Sequence, residues 1–375
     1  MTVPTINALI NFSTGPSFAQ AMILDTGILG TNILADSQAL IVDVSNQVDG
    51  VTTTRGRNAQ ADVFQTGTLT LRIVDQNGDF NPQNPAGPYY GLLTPLRKVQ
   101  ITGSYAGTEY PMFSGFITSY TTTTPKMATD VVYTTITAVD AFRLFQNSQI
   151  STVTLADAGD LPGERVNAIL DEIAWPPSMR EIQYGDTIFQ ADPGNPRTAL
   201  QALQTATISE YGALYINARG SVELHDRAFC IESQALPPIV FNDNGTEITY
   251  YNAVWRLDDT QVYNSASITK IGGTAQLAQD DASIEEYFVH SYNQTNLVMD
   301  TNQAALDYAR AYVASRKDTQ TRCDAIELDL YTPDYNAGIL AALDLDFFDP
   351  VEITTNQPGN STLQQTLQIF GVQHR

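Results

Sequence analysis

The chain has 375 residues, 43% of them hydrophobic, which is enough for two or three domains with real cores and excludes bulk disorder. Its formal net charge is −22, from 41 acids against 19 bases, and it contains no basic run of the kind that grips a nucleic-acid backbone. Two cysteines, Cys230 and Cys323, exclude a disulfide framework, and no apolar run approaches the ~18 residues of a membrane span.

The N-terminus is mildly apolar and has no basic flank, so no signal peptide is expected. Short strand-like runs occupy 6–12, 18–24 and 39–44, separated by the turn formers Gly15, Pro16, Gly27, Gly30, Asp36 and Ser37. In 68–74, Leu69, Leu71 and Ile73 share one face while Thr68, Thr70 and Arg72 share the other, the period of a half-buried strand. Gln76 to Asp79 break that strand, and an irregular loop with Pro82, Pro85, Gly87, Pro88 and Gly91 follows. Val99 and Ile101 alternate with Lys98, Gln100 and Thr102, a further strand carries Phe113 and Gly115, and 121–125 reads as a hairpin tip. Short strands joined by such turns predict a sandwich or barrel. Residues 138–147 form a short helical or extended exit.

Composition shifts after Ser151. Val166, Ile169, Leu170 and Ile173 recur at helical spacing behind Pro162 and predict a helix over 162–174, closed by Trp175, Pro176 and Pro177. A second helix is expected over 196–211, with Gly212 as its stop. Residues 213–217 and 222–225 read as a hairpin. Strands are expected at 250–256, 265–271, 325–331, 350–355 and 363–374. Helices are expected at 284–287 and 302–317, the second with Ala305, Tyr308, Ala309, Tyr312 and Val313 on one face.

A faint internal repeat runs through this order. Leu69, Leu71, Ile73, a bend with Pro82, then Pro95, Val99, Ile101 and Gly115 are echoed by Ile326, Leu328, Leu330, a bend with Pro333, then Pro350, Val351, Ile353 and Gly371. The expectation is two copies of one barrel, with Val99 matching Val351 and Gly115 matching Gly371.

Candidate chemistry is sparse. His225, His290 and His374 have no second His or Cys at zinc-ligand spacing. Asp75, Asn77 and Asp79 suggest a calcium loop only superficially, because the distal bidentate Glu is missing, and a turn is expected. Paired acids at 258–259, 280–281 and 285–286 raise the possibility of glycoside hydrolysis. Nucleophile-elbow, Walker and Rossmann patterns are absent from the sequence. Arg55 and Arg57 suit either pairing with acids across a subunit contact or a solvated loop.

The stretch from Asp43 to Asp140 orders seven pieces: an acidic strand, Thr53, Thr54, Arg55, Gly56 and Arg57, then Phe64, Gln65, Gly67 and Thr68, then Phe80 and Pro82, then Pro95, Arg97, Val99 and Ile101, then Phe113 and Gly115, and finally 137–142 with Asp140. This series resembles the N-terminal half of tail hub (baseplate hub) proteins of tailed bacteriophages, and the resemblance continues to the last residue. It implies a mainly β chain with small α+β insertions, in which two tail-tube-like β-barrel domains, 1–155 and 245–375, flank a small α/β domain at 156–244, with a helical insertion at about 280–320. It further implies a structural virion protein at the tail tip, made in the host cytoplasm, rather than an enzyme, and no cofactor. Its partners would be two further copies of itself, a tail tube or distal tail protein, tail-tip or fibre proteins and a tape-measure protein. Three chains with two barrels each would match a sixfold tube and line a channel through which DNA passes without specific binding. The acid excess would then line that channel. The sequence stops at Arg375, soon after the second barrel, where many hub proteins continue into fibre or lytic domains, so no direct receptor or lytic role is expected. The alternatives are a tail-associated cell-wall hydrolase and a carbohydrate-binding adhesin module.

Overall fold

The computed structural model describes residues 3–13, 15, 41–57, 63–123, 131–330, 336–359 and 361–375. The expected strand at 18–24, the turn residues Pro16, Gly27, Gly30, Asp36 and Ser37, the tip at Pro125 and the bend at Pro333 lie outside the described residues. Seven strands begin the largest sheet: β1 (Thr5–Asn11), β2 (Ile41–Asp43), β3 (Val48–Gly56), β4 (Gln65–Val74), β5 (Lys98–Tyr105), β6 (Thr108–Thr123) and β7 (Tyr133–Val139). They lie in the order β2-β1-β5-β6-β7-β4-β3, with every neighbouring pair antiparallel. The alternation in β4 is realised, with Leu69, Leu71 and Ile73 buried against Val99, Ile101, Phe113, Ile117 and Ile136. Each such side chain contributes about 1.5–3 kcal/mol on leaving water. Beyond β4, the Asp75 carboxylate accepts from the N–H groups of Asp79 and Phe80 and from the Thr134 hydroxyl, so the calcium-like string is a turn tied by its own backbone. Helix α1 (Phe142–Asn147) leaves the sheet.

The middle of the chain packs helices on a small sheet. Its elements are β8 (Gln149–Ile150), α2 (Pro162–Glu172), β9 (Arg180–Ile182), β10 (Arg197–Thr198), α3 (Ala199–Glu210), β11 (Ala213–Ile216), β12 (Val222–His225) and α4 (Arg227–Glu232). Thr198 and Gln201 cap α3 reciprocally, at 3.1 and 3.0 Å. The left-handed residue that ends α3 is Tyr211, not Gly212. Gly212 is required for a different reason, because a Cβ there would lie 2.4 Å from the His225 carbonyl oxygen on β12. β11 and β12 form the expected hairpin, and β9 pairs parallel to β12.

The last third comprises β13 (Ile239–Asn242), β14 (Tyr251–Arg256), β15 (Ser265–Lys270), β16 (Gln276–Gln279), α5 (Asp281–Tyr287), β17 (Ser291–Leu297), α6 (Asn302–Arg316), β18 (Arg322–Glu327), α7 (Asn336–Asp344), β19 (Pro350–Gln357), β20 (Ser361–Gln368) and β21 (Gly371–His374). The insertion between β14 and β18 exceeds the helical segment expected there. It builds its own sheet, β16-β15-β17, under α6, with Tyr292, Tyr308 and Tyr312 stacked in its core.

Three expectations need correction. Among the described residues no sheet closes into a barrel. The largest sheet ends at β2, three residues long, and at β21, whose one partner among the described residues is β3. The strands of the last third divide among separate sheets, β13-β19-β20, β14-β18 and β16-β15-β17, the last of them formed within the insertion around a core of its own. The segment 363–374 is also two strands, broken at Ile369 and Phe370. Val99 pairs with Gly115, and Val351 pairs with Leu367, so Gly371 lies four residues past the position that Gly115 holds. Instead it enters the first sheet opposite Gly56. What survives of the repeat is local: Val99 and Ile101, like Val351 and Ile353, are buried in the first strand of an antiparallel hairpin.

The approach of β21 to β3 depends on one glycine. Gly56 adopts φ +115°, and a Cβ there would lie 2.2 Å from the Phe370 carbonyl oxygen. Gly56→Ala is therefore expected to cost at least about 2 kcal/mol, from backbone strain plus overpacking, and to speed amide exchange across 371–374. Gly50 on the same strand has open space around its Cβ position, so Gly50→Ala should change stability little. Denaturant melts in which the two variants behave alike would refute the close approach.

Candidate functional site: the joint between the chain's two ends

Seven residues singled out in the sequence, Arg55, Gly56, Arg57, Gly67, Gly115, Asp140 and Gly371, lie at or beside the place where β21 meets β3. Arg55 is buried on β3 and donates from both terminal nitrogens to Asp346, at 3.2 and 3.0 Å. Its guanidinium lies 5.0 Å from the centre of the Phe347 ring. A planar fork on a carboxylate, backed by an aromatic face, fixes both distance and angle between the two segments. Arg57 stacks over Phe64 and over Phe370, 4.2 Å from the latter's ring centre, and its N–H donates to the Phe370 carbonyl. Neither reading open for these arginines describes Arg55: it is buried on a strand rather than in a solvated loop, and the acid it pairs with, Asp346, belongs to the same chain rather than to another subunit.

Asp140 closes the other side. Its carboxylate accepts from the N–H groups of Gly67 and Phe142, while its own N–H donates to the Gly67 carbonyl. Gly67 has to be small, because a Cβ would lie 2.9 Å from the Asp140 carboxylate and 3.4 Å from the Arg55 side chain. Burial raises Asp140 to about 7, against the two N–H donors and the Arg55 charge, which pull it down. Gly115 is beside this joint, where a Cβ would meet the Val139 carbonyl at 2.4 Å and the Phe113 ring at 2.8 Å. Gly371, paired with Gly56, completes the set.

The other motif residues do not join it. Val99 and Ile101 belong to the first core, and Val351 and Ile353 to a core with Phe241 and Ala341. Pro82 and Pro95 are exposed in the loop between β4 and β5. Four contributors carried no local sequence signal: Asp346, Phe347, Phe348 and His374. His374 on β21 hydrogen-bonds through Nε2 to the Ala342 carbonyl at 3.0 Å and through Nδ1 to the Thr53 hydroxyl at 3.3 Å. Those partners fit the neutral ring with its proton on Nε2, and burial holds its pKa below the ordinary range.

The joint is structural in its chemistry. A cavity of about 220 Å³ opens beside it, lined by Arg55, Glu181, Arg219, Glu223, Asp346 and His374 among others. Next to it, His225 Nε2 lies 2.9 Å from the Tyr215 hydroxyl and 3.0 Å from Glu223 Oε1. Tyr215 is enclosed by Phe64, Phe347 and Phe348, and burial pushes its pKa upward, the wrong direction for a nucleophile. Of the acids considered for glycoside hydrolysis, two are shifted away from the behaviour of a general acid. Asp258 is lowered by hydrogen bonds from Arg322 and Thr260, and Asp280 by the Ser283 N–H and Lys317, whereas a general acid needs a raised pKa. Among the described residues, no group of three or more His, Cys, Asp or Glu is placed to hold a metal, and no helix is long and apolar enough to cross a membrane.

The joint's pH dependence follows from Asp140. Its carboxyl holds a proton more tightly in the fold than in the unfolded chain, whose value is 3.8. Its contribution to stability therefore falls as pH rises from about 4 to about 7. Denaturant unfolding at pH 5 and pH 8 should show the wild type losing more stability across that interval than Asp140→Asn, which does not titrate. Asp140→Asn should itself be less stable at pH 5 by about 1–3 kcal/mol, since its NH₂ faces a backbone N–H. Equal pH slopes would show that Asp140 titrates normally.

No family profile and no curated protein matches the sequence. Solved structures do. The tail protein from Neisseria meningitidis MC58 superposes with a TM-score of 0.54 at 12% identity, over 87% of this chain and 89% of that one. The 43 kDa tail protein of prophage MuSo2 from Shewanella oneidensis gives 0.51 at 11% identity, over 89% and 90%. The chain shares the fold of these tail proteins across most of its length.

Proposed function

We propose that this protein is a structural component of a phage tail, a hub at the tail tip, and not an enzyme. The observation that carries this reading is the fold shared with two tail proteins over 87% and 89% of the chain. The joint supports it. A tail component transmits force between neighbours, and a chain whose last strand is hydrogen-bonded to its third strand moves as one frame.

On this reading the chain is organised as 1–155, 156–244 and 245–375, with the outer two segments as β units around the helical middle. Three chains supply six β units and form a ring that matches a sixfold tail tube on one side and threefold tip components on the other. A ring of identical chains closes through head-to-tail contacts between different faces. Its partners are two further copies, a tail tube or distal tail protein, tail-tip or fibre proteins and a tape-measure protein. The ring forms part of the DNA-ejection channel. The −22 charge per chain leaves the channel wall short of Lys and Arg, so phosphates pass without the counterion release that would hold them.

Imaging of the assembled particle with this chain located tests the proposal. Three copies in one ring at the tail tip, with lumen side chains mainly Asp, Glu, Ser, Thr, Asn and Gln, are expected. Six copies, or a position on the capsid, would overturn it. Duplex DNA binding by the purified protein at physiological salt would overturn the channel assignment.

A further inference from the structure

The chain contains two Asn-Gly steps, Asn77-Gly78 and Asn244-Gly245. At such a step a backbone nitrogen can reach the neighbouring side-chain amide, because glycine has no Cβ to obstruct the approach and ranges widely in φ/ψ. Both asparagines are exposed, yet the fold treats the two steps in opposite ways. Asn77 stands in the turn after β4. There the Gly78 N–H, the group that would attack, donates to the Asp75 carbonyl at 3.1 Å. The Asn84 side chain donates to the carbonyls of Asn77 and Gly78 at 3.3 and 3.0 Å, so the peptide is fixed on both sides.

Asn244 lies in the bend between β13 and β14. Its side-chain Oδ1 accepts from the Thr246 N–H at 2.9 Å and from the Thr246 hydroxyl at 2.7 Å. The hydroxyl is itself held in place, because Asn242 Nδ2 donates to it at 2.9 Å. Asn242 is buried at the end of β13, where it pairs with Thr354 of β19, so the donor rests on the sheet. Among the described residues no acceptor takes the Gly245 N–H, and a Cβ built at Gly245 would meet nothing within 4 Å. At Asn77 the attacking nitrogen is tied down. At Asn244 it is free, and the carbonyl it would attack is polarised by two donors.

We infer that Asn244 is a site of spontaneous covalent modification, at which the Gly245 nitrogen closes on the Asn244 side chain and Thr246 stabilises the intermediate. Hydroxide takes the Gly245 N–H proton, and the nitrogen bonds to Asn244 Cγ. The tetrahedral intermediate carries its negative charge on Oδ1, where the two Thr246 donors stand. The bond from Cγ to Nδ2 then breaks. Nδ2 takes a proton from water and leaves as ammonia, which regenerates the hydroxide. Water adds to either carbonyl of the succinimide and opens it to aspartate or isoaspartate, so water is the only co-reactant. The product sets a second carboxylate beside Asp243, whose own carboxylate holds the Asn356 N–H and side-chain amide at 2.8 and 2.7 Å. Isoaspartate also lengthens the backbone between β13 and β14 by one methylene.

Peptide mapping by mass spectrometry tests the site, on the full chain incubated at pH 8 and sampled over weeks. In the folded chain Asn244 should convert at least about tenfold faster than Asn77, the factor for one freed nucleophile and two added donors. In denaturant the two sites should convert at similar rates, because both carry the same dipeptide. Thr246→Val removes the hydroxyl donor and should slow Asn244 roughly threefold to tenfold, the rate equivalent of one net hydrogen bond. Thr246→Ser keeps the donor and should retain the wild-type rate. Equal conversion of the two sites in the folded chain would overturn the inference, as would a Thr246→Val rate at or above that of wild type. The same preference for Asn244 in denaturant would assign it to sequence and not to the fold, which also overturns it. An Asn244 that stays intact after the denatured chain has converted would do the same.

Discussion

The fold depends on the ion pair between Arg55 and Asp346, residues separated by 291 positions in sequence. Closing so long a loop costs little more than closing one of half its length, about 0.6 kcal/mol for the doubling. The dominant expense is desolvating a guanidinium, which an ion pair alone repays poorly. The joint repays it with several contacts made together. Phe347 covers the Arg55 fork, Gly56 pairs with Gly371, and His374 links the Thr53 hydroxyl to the Ala342 carbonyl. Removing Arg55 would therefore do more than delete one ion pair. It would leave the Asp346 carboxylate facing an aromatic cluster and loosen the only strand by which the last third enters the first sheet among the described residues.

How legible this was in the sequence depended on whether the signal was local. The strands β4, β5 and β12 and the helices α2, α3 and α6 follow from periodicity within a dozen residues, because their burial is set by one face at a time. The motif at Arg55, Gly67 and Asp140 was visible as a string of unusual residues, although their convergence was not. The other half of the joint was not readable. Asp346 is one acid among 41, and nothing near it marks it as the partner of residue 55. The break at Ile369 and Phe370 that sends β21 to a different sheet has no glycine or proline within it, so 363–374 reads as one strand. Likewise β17, Ser291–Leu297, is mostly polar along its length and gains its place from Tyr292 and Leu297 alone. Gly212 illustrates the same limit. Its position past a helix suggested a stop, whereas its role is to let β12 approach.

The use of charge has a consistent logic. Several of the few bases are spent inside the molecule. Arg165 is almost wholly buried and holds Asp160 together with the carbonyls of Asp157 and Gln190, pinning α2 to the segments on either side. Arg180 ties the Trp175 carbonyl and Asp171 near the end of the same helix, and Arg197 binds Asp192. Arginine suits this work because it stays charged at every relevant pH and donates in several directions. Each of these arginines takes one acid with it, so the excess of 22 acids is carried by the rest of the chain. A net charge of −22 disfavours non-specific contact with other polyanions.

Two kinds of backbone exception can be contrasted in this chain. At Gly56, Gly115 and Gly212 the side chain is absent because another backbone passes within 2.2–2.4 Å of where a Cβ would be. Those sites hold the frame together, and the exception is resolved by omitting atoms. At Phe288 the opposite holds. The backbone is forced into a glycine-like region while a large side chain is retained in solvent, and a buried asparagine supplies the hydrogen bonds that keep it there. A strained backbone that presents an aromatic to water gains nothing for the isolated chain, since glycine would satisfy the same turn with less strain and less exposed apolar surface. The glycine exceptions thus hold the frame together, whereas the one at Phe288 is held by a buried asparagine at the frame's surface.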